Sequence, residues 1–177
     1  MDRAYVWRSR LVVVLAAAAV VACGPAASTG AAAPAAPDPT NATFRIERDV
    51  VTLANGRAER EAAPGSATKV ITVLGSERAT ADLDSDGRPD TAVVLTQQPG
   101  GSGTFAYVAV LLNGAAGVTT VPAALLGDRI KVTALRSDGP AIVVELLDRA
   151  AGEPLTASPT VAKTKRFLVS GGALVAQ

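Results

Sequence analysis

The sequence predicts a mainly β fold: an antiparallel sheet arranged as a sandwich or a barrel, to which one short helix could be added. Three observations support this prediction. Short apolar runs rich in β-branched residues recur from residue 44 onward, and turn-forming residues separate them about every ten positions. In addition, no long segment repeats with the 3.6-residue period of an amphipathic helix.

The predicted globular domain comprises residues 44–177, a length that suits a single core. Its first two strands flank Asn55-Gly56, a pair that tolerates the positive φ values of a type I′ turn and therefore predicts a hairpin. Residues 122–126 could form a helical turn. The other predicted strands are residues 69–74, 77–81, 91–96, 104–112, 118–121, 130–135, 141–147, 160–169 and 173–175.

Residues 1–22 have the features of a signal peptide. Arg3, Arg8 and Arg10 form a basic start, and residues 11–22 are a short apolar run. At ~1.5 Å per residue a helix of this run reaches ~18 Å, whereas the apolar core of a bilayer is ~30 Å thick. We therefore interpret the run as a targeting segment and not as a membrane span.

The next residues, Val20-Val21-Ala22-Cys23-Gly24, resemble the lipobox of bacterial lipoproteins. The resemblance implies that Cys23 becomes the first mature residue and carries a diacylglyceryl thioether together with an acyl chain such as palmitate on its amine. Two or more acyl chains anchor a protein stably in a membrane. The alternative is an ordinary secretory signal cut at a nearby alanine, which would leave a free thiol. A lipid anchor would place the domain in the cell envelope, facing the periplasm or the cell exterior.

Residues 23–43 are rich in alanine and proline and carry one charged residue, Asp38. Proline disfavours a helix, and no apolar period is present that could bury one face. The sequence therefore predicts a tether of residues 23–43 between the membrane and the domain.

The most distinctive stretch is Asp82-x-Asp84-x-Asp86-Gly87-Arg88-x-Asp90, which leads directly into a predicted core strand. Counted from Asp82, carboxylates occupy positions 1, 3, 5 and 9, glycine occupies position 6, and Arg88 at position 7 offers its backbone carbonyl. This is the order of oxygen ligands in the first nine positions of a calcium loop. Position 12 is Val93 where an EF-hand has a bidentate glutamate, so the loop is not an ordinary EF-hand.

The same stretch, followed by Ala92-Val93-Val94-Leu95, resembles the calcium loops of FG-GAP and VCBS-type repeats and, more loosely, of dockerins. The resemblance implies a structural Ca²⁺ held by Asp82, Asp84, Asp86 and Asp90 and by the carbonyl of Arg88. It covers about 15 residues and occurs once, whereas a propeller needs several blades. The alternative is a solvated acidic turn without an ion, because Asp, Ser and Gly are ordinary turn residues. Residues 44–177, with Gly100-Gly101-Ser102-Gly103-Thr104-Phe105 and Leu126-Gly127-Asp128-Arg129 after the loop, also resemble a small family of uncharacterised bacterial lipoproteins, which implies no particular activity.

Several kinds of chemistry are excluded by composition. The chain has no histidine and one cysteine, Cys23, which removes His-based triads, internal disulfides and the usual zinc or copper ligand sets. Ser66 and Lys69 match a Ser-x-x-Lys pattern without its companion motifs. Without residues 1–22 the chain has 14 basic and 15 acidic residues, a balance that does not favour nucleic acid as a partner.

From these observations we expect a non-enzymatic, membrane-anchored lipoprotein of the cell envelope. Its calcium-stabilised β domain would act as a binding or structural module toward an envelope protein or polymer. Two alternatives stay open: an envelope hydrolase that uses carboxylates or Ser66 and Lys69, and a protein inhibitor of an envelope hydrolase.

Overall fold

The computed structural model describes residues 34–177, which form one compact unit. The described residues form twelve strands and no helix, which confirms the mainly β prediction. In particular, they contain no helix that is long and apolar enough to cross a membrane. The strands are β1 (Thr43–Ile46), β2 (Asp49–Thr52), β3 (Arg57–Glu61), β4 (Lys69–Ala81), β5 (Asp90–Gln98), β6 (Phe105–Gly114), β7 (Gly117–Thr120), β8 (Pro122–Asp128), β9 (Lys131–Asp138), β10 (Ala141–Asp148), β11 (Val161–Ser170) and β12 (Ala173–Ala176).

Eight strands form a large sheet that curls into a nearly closed barrel. Their order is β2-β1-β8-β6-β5-β4-β3, and β7 also pairs with β6. Only the β1–β8 contact is parallel; the other pairs of this sheet are antiparallel. The two edge strands approach one another, because the turn at Asn55 and Gly56 joins β2 to β3 and Arg60 on β3 makes an ion pair with Asp49 on β2. We call the place where these two edge strands, β2 and β3, meet the seam.

The remaining four strands form a second sheet in the order β12-β11-β10-β9. Ile142, Val144 and Leu146 of β10 are buried together with Val108 and Val110 of β6 in one apolar cluster. The second sheet therefore covers the outer face of the barrel over its central strands.

Strands β5 and β6 are buried on both faces, which explains their almost continuous apolar sequences. Side chains alternate along a strand, so Val93 and Leu95 pack with Phe44 inside the barrel, whereas Ala92 and Val94 belong to the cluster beneath the second sheet. Strands β5 and β6 therefore contribute side chains to both cores, and β5 begins at Asp90, where the acidic stretch ends.

Two details of the predicted secondary structure are wrong. Residues 122–126 do not form a helical turn but lie in β8, where pairing with β6 and β1 satisfies their backbone and Leu126 is buried. The predicted strands 69–74 and 77–81 are one strand, β4, whose register against β5 shifts between Leu74 and Arg78. Such a bulge lets one long strand bend around a barrel.

The Asn-Gly turn is confirmed, but the hairpin around it is not extended. Asn55 and Gly56 have φ values of 52° and 80°, and a bridge joins Ala54 to Arg57. Beyond this bridge the two strands pair elsewhere, β2 with β1 and β3 with β4. The turn therefore connects the two edges of the barrel across the seam.

Residues 35–41, which we call the strap, lie against the barrel although the sequence analysis assigns them to the tether. Pro37 and Pro39 are buried, and the carbonyl of Thr40 accepts the N–H of Gly56 at 2.7 Å. The predicted signal peptide, the lipidation site Cys23 and the tether up to residue 33 lie outside the described residues.

Candidate metal centre

The acidic loop, residues 82–90, joins β4 to β5. Ser85 and Gly87 have φ values of 66° and 83°, so the chain curls sharply at two points. A Cβ atom on Gly87 would meet no atom within 4 Å, which means that the requirement for glycine comes from the backbone conformation and not from lack of space. The glycine at position 6 of the predicted calcium loop therefore occupies a bend, as its position predicts.

Hydrogen bonds turn the carboxylates toward the inside of this loop. The N–H groups of Asp86 and Gly87 donate to the two oxygens of Asp82 at 3.1 and 2.9 Å. The N–H of Asp86 also donates to Asp84 Oδ1 at 3.2 Å, and the N–H of Arg88 donates to Asp86 Oδ1 at 2.8 Å. Each of the three alternate carboxylates is thus held by the backbone of the loop that it belongs to.

The structure brings Asp82, Asp84 and Asp86 together. Each offers one carboxylate oxygen, and these oxygens all lie within 4.8 Å of one another, so the group could hold a metal ion. Desolvation, followed by the negative charges of Asp90 and Asp86, raises the pKa of Asp84, with a smaller contribution from Asp82. The loop therefore concentrates negative charge that a cation would offset, and the residues present suit a hard divalent ion.

Asp90 has a different environment from the other three carboxylates. It is fully buried, and its two oxygens accept the N–H of Leu83 and the N–H of Asn113, each at 2.8 Å. The acidic group defined by the 4.8 Å distances does not include it. In the described structure Asp90 thus ties the start of the loop to the end of β6, and its predicted role as a metal ligand, like that of the Arg88 carbonyl, stays a prediction.

Asn113 is a residue of this region that the sequence analysis did not single out. Its side-chain amide donates to the carbonyl of Ala35 at 3.0 Å and to the carbonyl of Pro89 at 3.3 Å. In the sequence it precedes Gly114 between two apolar runs, so it resembles an ordinary turn residue. Its contacts depend on which strands become neighbours, and sequence spacing does not disclose that.

Among the described residues, no hydrogen bond joins the side chains of Ser66 and Lys69, and each contacts another residue. The Ser66 hydroxyl accepts the N–H of Thr68 at 3.1 Å, and Lys69 Nζ lies 3.7 Å from a carboxylate oxygen of Glu61. Both side chains thus have local partners where the segment between β3 and β4 leads into β4.

Lys163, Lys165 and Arg166 form a basic stripe on β11, and each of them has a partner. On the second sheet, Lys163 pairs with Asp148 at 2.8 Å and Arg166 pairs with Asp138 at 2.9 Å. Lys165 donates to the carbonyl of Leu126 at 2.8 Å. This basic stripe is therefore largely compensated by neighbouring acceptors.

Two clefts of the described surface are lined mainly by valine and threonine. One cleft of about 130 Å³ lies at the seam, with Val51, Val70 and Thr72 among its lining residues. A wider groove of about 460 Å³ runs between β1, β2 and β7.

Comparisons of the chain with protein-family models, with curated proteins and with solved structures found no match.

Proposed function

We propose that the protein is a non-enzymatic lipoprotein of the cell envelope whose β domain is stabilised by Ca²⁺ at the acidic loop. The domain acts as a binding or structural module toward an envelope protein or polymer. The observation that carries the proposal is the convergence of three carboxylates, Asp82, Asp84 and Asp86, within 4.8 Å on the loop that leads into β5.

Calcium suits this loop better than zinc or copper do. Ca²⁺ takes six to eight oxygen ligands at about 2.3–2.6 Å and accepts irregular geometry, with water filling open positions. Asp84 and Asp86 are exposed, so water can reach the centre of the loop. Protein modules outside the cytoplasm bind calcium with dissociation constants of about 10⁻⁴–10⁻³ M, and a surface loop with three converging carboxylates is consistent with this range.

The loop position gives the ion a structural role. Asp90, the last loop residue, is also the first residue of β5, and β5 contributes to both apolar cores. An ion that orders the loop therefore restricts the start of the strand on which both cores depend.

The membrane anchor is supported by the sequence alone. The apolar run of residues 11–22, the lipobox-like residues before Cys23 and the alanine- and proline-rich stretch after it follow the order of signal, lipidation site and tether. Fractionation of cells tests this part: the protein should sediment with membranes, and a Cys23→Ala variant should not become acylated.

Calorimetric titration with CaCl₂ tests the metal site. We expect saturable binding of one Ca²⁺ to the wild-type chain and loss of binding in an Asp84→Asn, Asp86→Asn double variant. Glu59→Gln is the matched control, because Glu59 is an exposed carboxylate that pairs with Arg57 on β3, outside the acidic loop. Equal heats from the wild type and the double variant would refute the proposed site.

A further inference from the structure

The strap and the acidic loop share their anchoring residues. Thr91, which follows the last loop residue, donates its hydroxyl to the carbonyl of Pro37 at 2.8 Å, and this bond is buried. Asn113 donates one amide nitrogen to the carbonyl of Ala35 in the strap and to the carbonyl of Pro89 in the loop. The strap is therefore bonded to Thr91, which follows the loop, and to Asn113 on β6, which also bonds the loop residue Pro89.

Asp90 completes the connection between these parts. Its carboxylate accepts the N–H of Leu83 at the start of the loop and the N–H of Asn113 on β6. Displacement of Asp90 would shift both the neck of the loop and the residue that holds Ala35. The bond from Leu83 is buried and the bond from the Asn113 N–H is half-buried, so replacing either with a bond to water has a cost, whereas the Asn113 bond to Ala35 is exposed.

At its other end the strap is fastened to the turn that crosses the seam. The N–H of Gly56 donates to the carbonyl of Thr40 at 2.7 Å, and the N–H of Asn55 donates to Asn41 Oδ1 at 2.9 Å. Together with buried Pro37 and Pro39, these bonds make the strap a defined element that is docked at both ends.

We propose that the strap is a releasable segment whose docking is coupled to cation binding at the acidic loop. A bound cation holds the loop and Asp90 in place and thereby favours the docked strap; loss of the cation favours its release. Release would detach the seven residues of the strap from the barrel. The inference rests on the proposed calcium site, and thermodynamic linkage makes the coupling reciprocal.

Two variants of the full chain in detergent, titrated with CaCl₂, test the coupling. Thr91→Val removes the hydroxyl bond to the strap while keeping the side-chain shape, and Pro37→Gly loosens the strap from within, without changing any loop residue. We expect each to weaken Ca²⁺ binding by about 5-fold or more. Thr72→Val is the matched control: Thr72 is a buried threonine inside the barrel that bonds Gln97 and not the strap, so its substitution should leave the Ca²⁺ affinity unchanged.

Hydrogen exchange provides the direct readout of strap docking. The amides of Asn55 and Gly56 donate to strap atoms, so their exchange should slow when Ca²⁺ is added to the wild type and should be faster in both strap variants. Wild-type protein that binds Ca²⁺ with unchanged exchange at these amides, and with the same affinity in all variants, would overturn the coupling and leave the calcium site standing. Absence of Ca²⁺ binding in the wild type would overturn both proposals.

Discussion

At the scale of single residues, the carboxylate of Asp90 links two parts of the chain by hydrogen bonds. It is fully buried and accepts two backbone N–H groups from different parts of the chain. An amide at this position keeps one acceptor oxygen but places a donor opposite one of these N–H groups.

The first prediction concerns this residue. Asp90→Asn should lower the free energy of unfolding by about 1–3 kcal/mol, because one buried N–H loses its acceptor. Urea unfolding in the presence of a chelator measures this effect independently of any metal. Asp138→Asn is the control, since Asp138 is an exposed residue of the second sheet, and an equal loss in both variants would contradict the role assigned to Asp90.

Tyr107 provides a spectroscopic probe of the barrel interior. It is buried, and its hydroxyl donates to Glu47 Oε1 at 3.0 Å. Burial, followed by the hydrogen bond to Glu47 and the charge of Glu47, raises the pKa of Tyr107 to about 12 from an ordinary value of 10.0. Since the folded-state pKa is the higher one, the stability that this residue contributes is fully present below pH 10 and is lost as the pH rises toward 12.

The second prediction follows from this shift. Ultraviolet titration of the chain should show one tyrosine, Tyr107, that ionises near pH 12, and Glu47→Gln should lower its pKa. Tyr107→Phe identifies the signal, because the chain has one other tyrosine, Tyr5. A Tyr107 phenol that titrates near pH 10 in the folded protein would show that its environment is wrongly described.

At the scale of elements, the acidic loop was the part of the site most accessible from the sequence. Side chains at alternate positions of a curled segment converge, so the spacing of Asp82, Asp84 and Asp86 predicts their proximity. The spacing could not predict the environment of Asp90, because Leu83 and Asn113 reach it only after β4, β5 and β6 have paired. The strap escaped prediction for the same reason: its composition is that of a flexible linker, and its docking depends on long-range contacts.

The third prediction concerns the pH dependence of the loop. Because the pKa of Asp84 is raised in the folded protein, protonation of this carboxyl group favours folding. The resulting stability is fully present below the pKa that Asp84 has in the unfolded chain. It is lost as the pH rises through the pKa that Asp84 has in the folded protein. In chelator at pH 7, Asp84→Asn should therefore be at least as stable as the wild type, and the difference should vanish in acid. With Ca²⁺ present the wild type should be more stable than Asp84→Asn. Thermal melts at several pH values test both statements, and a variant that is less stable in chelator would contradict the repulsion described here.

The fourth prediction tests the burial of β5 inside the barrel. Leu95 is fully buried inside the barrel, so Leu95→Ala should cost about 2–5 kcal/mol of unfolding free energy. Leu125 on β8 is 49% exposed and provides a matched control, for which the same substitution should cost less than about 1 kcal/mol. Denaturant unfolding distinguishes the two, and similar costs at both positions would argue against the barrel core.

At the scale of the whole molecule, the fold class was predictable because β-branched runs and regular turns depend on local sequence. The closure of the barrel was not predictable from local sequence. It depends on β2 and β3 meeting as the two edges of one sheet, while the Asn-Gly turn between them suggests a simple hairpin. Likewise, pairing with β6 and β1 makes residues 122–128 a strand, although a proline followed by alanine and leucine is also typical of the first turn of a helix.

The central claim is that a divalent cation at the acidic loop stabilises the β domain, and melting of the protein with and without Ca²⁺ tests it most directly. At Ca²⁺ concentrations near to several times the dissociation constant, linkage predicts a gain of about 0.5–1.5 kcal/mol in unfolding free energy. The melting temperature of the wild type should rise accordingly, and that of Asp84→Asn, Asp86→Asn should not. Identical melting temperatures of the wild type in CaCl₂ and in EGTA would contradict the claim.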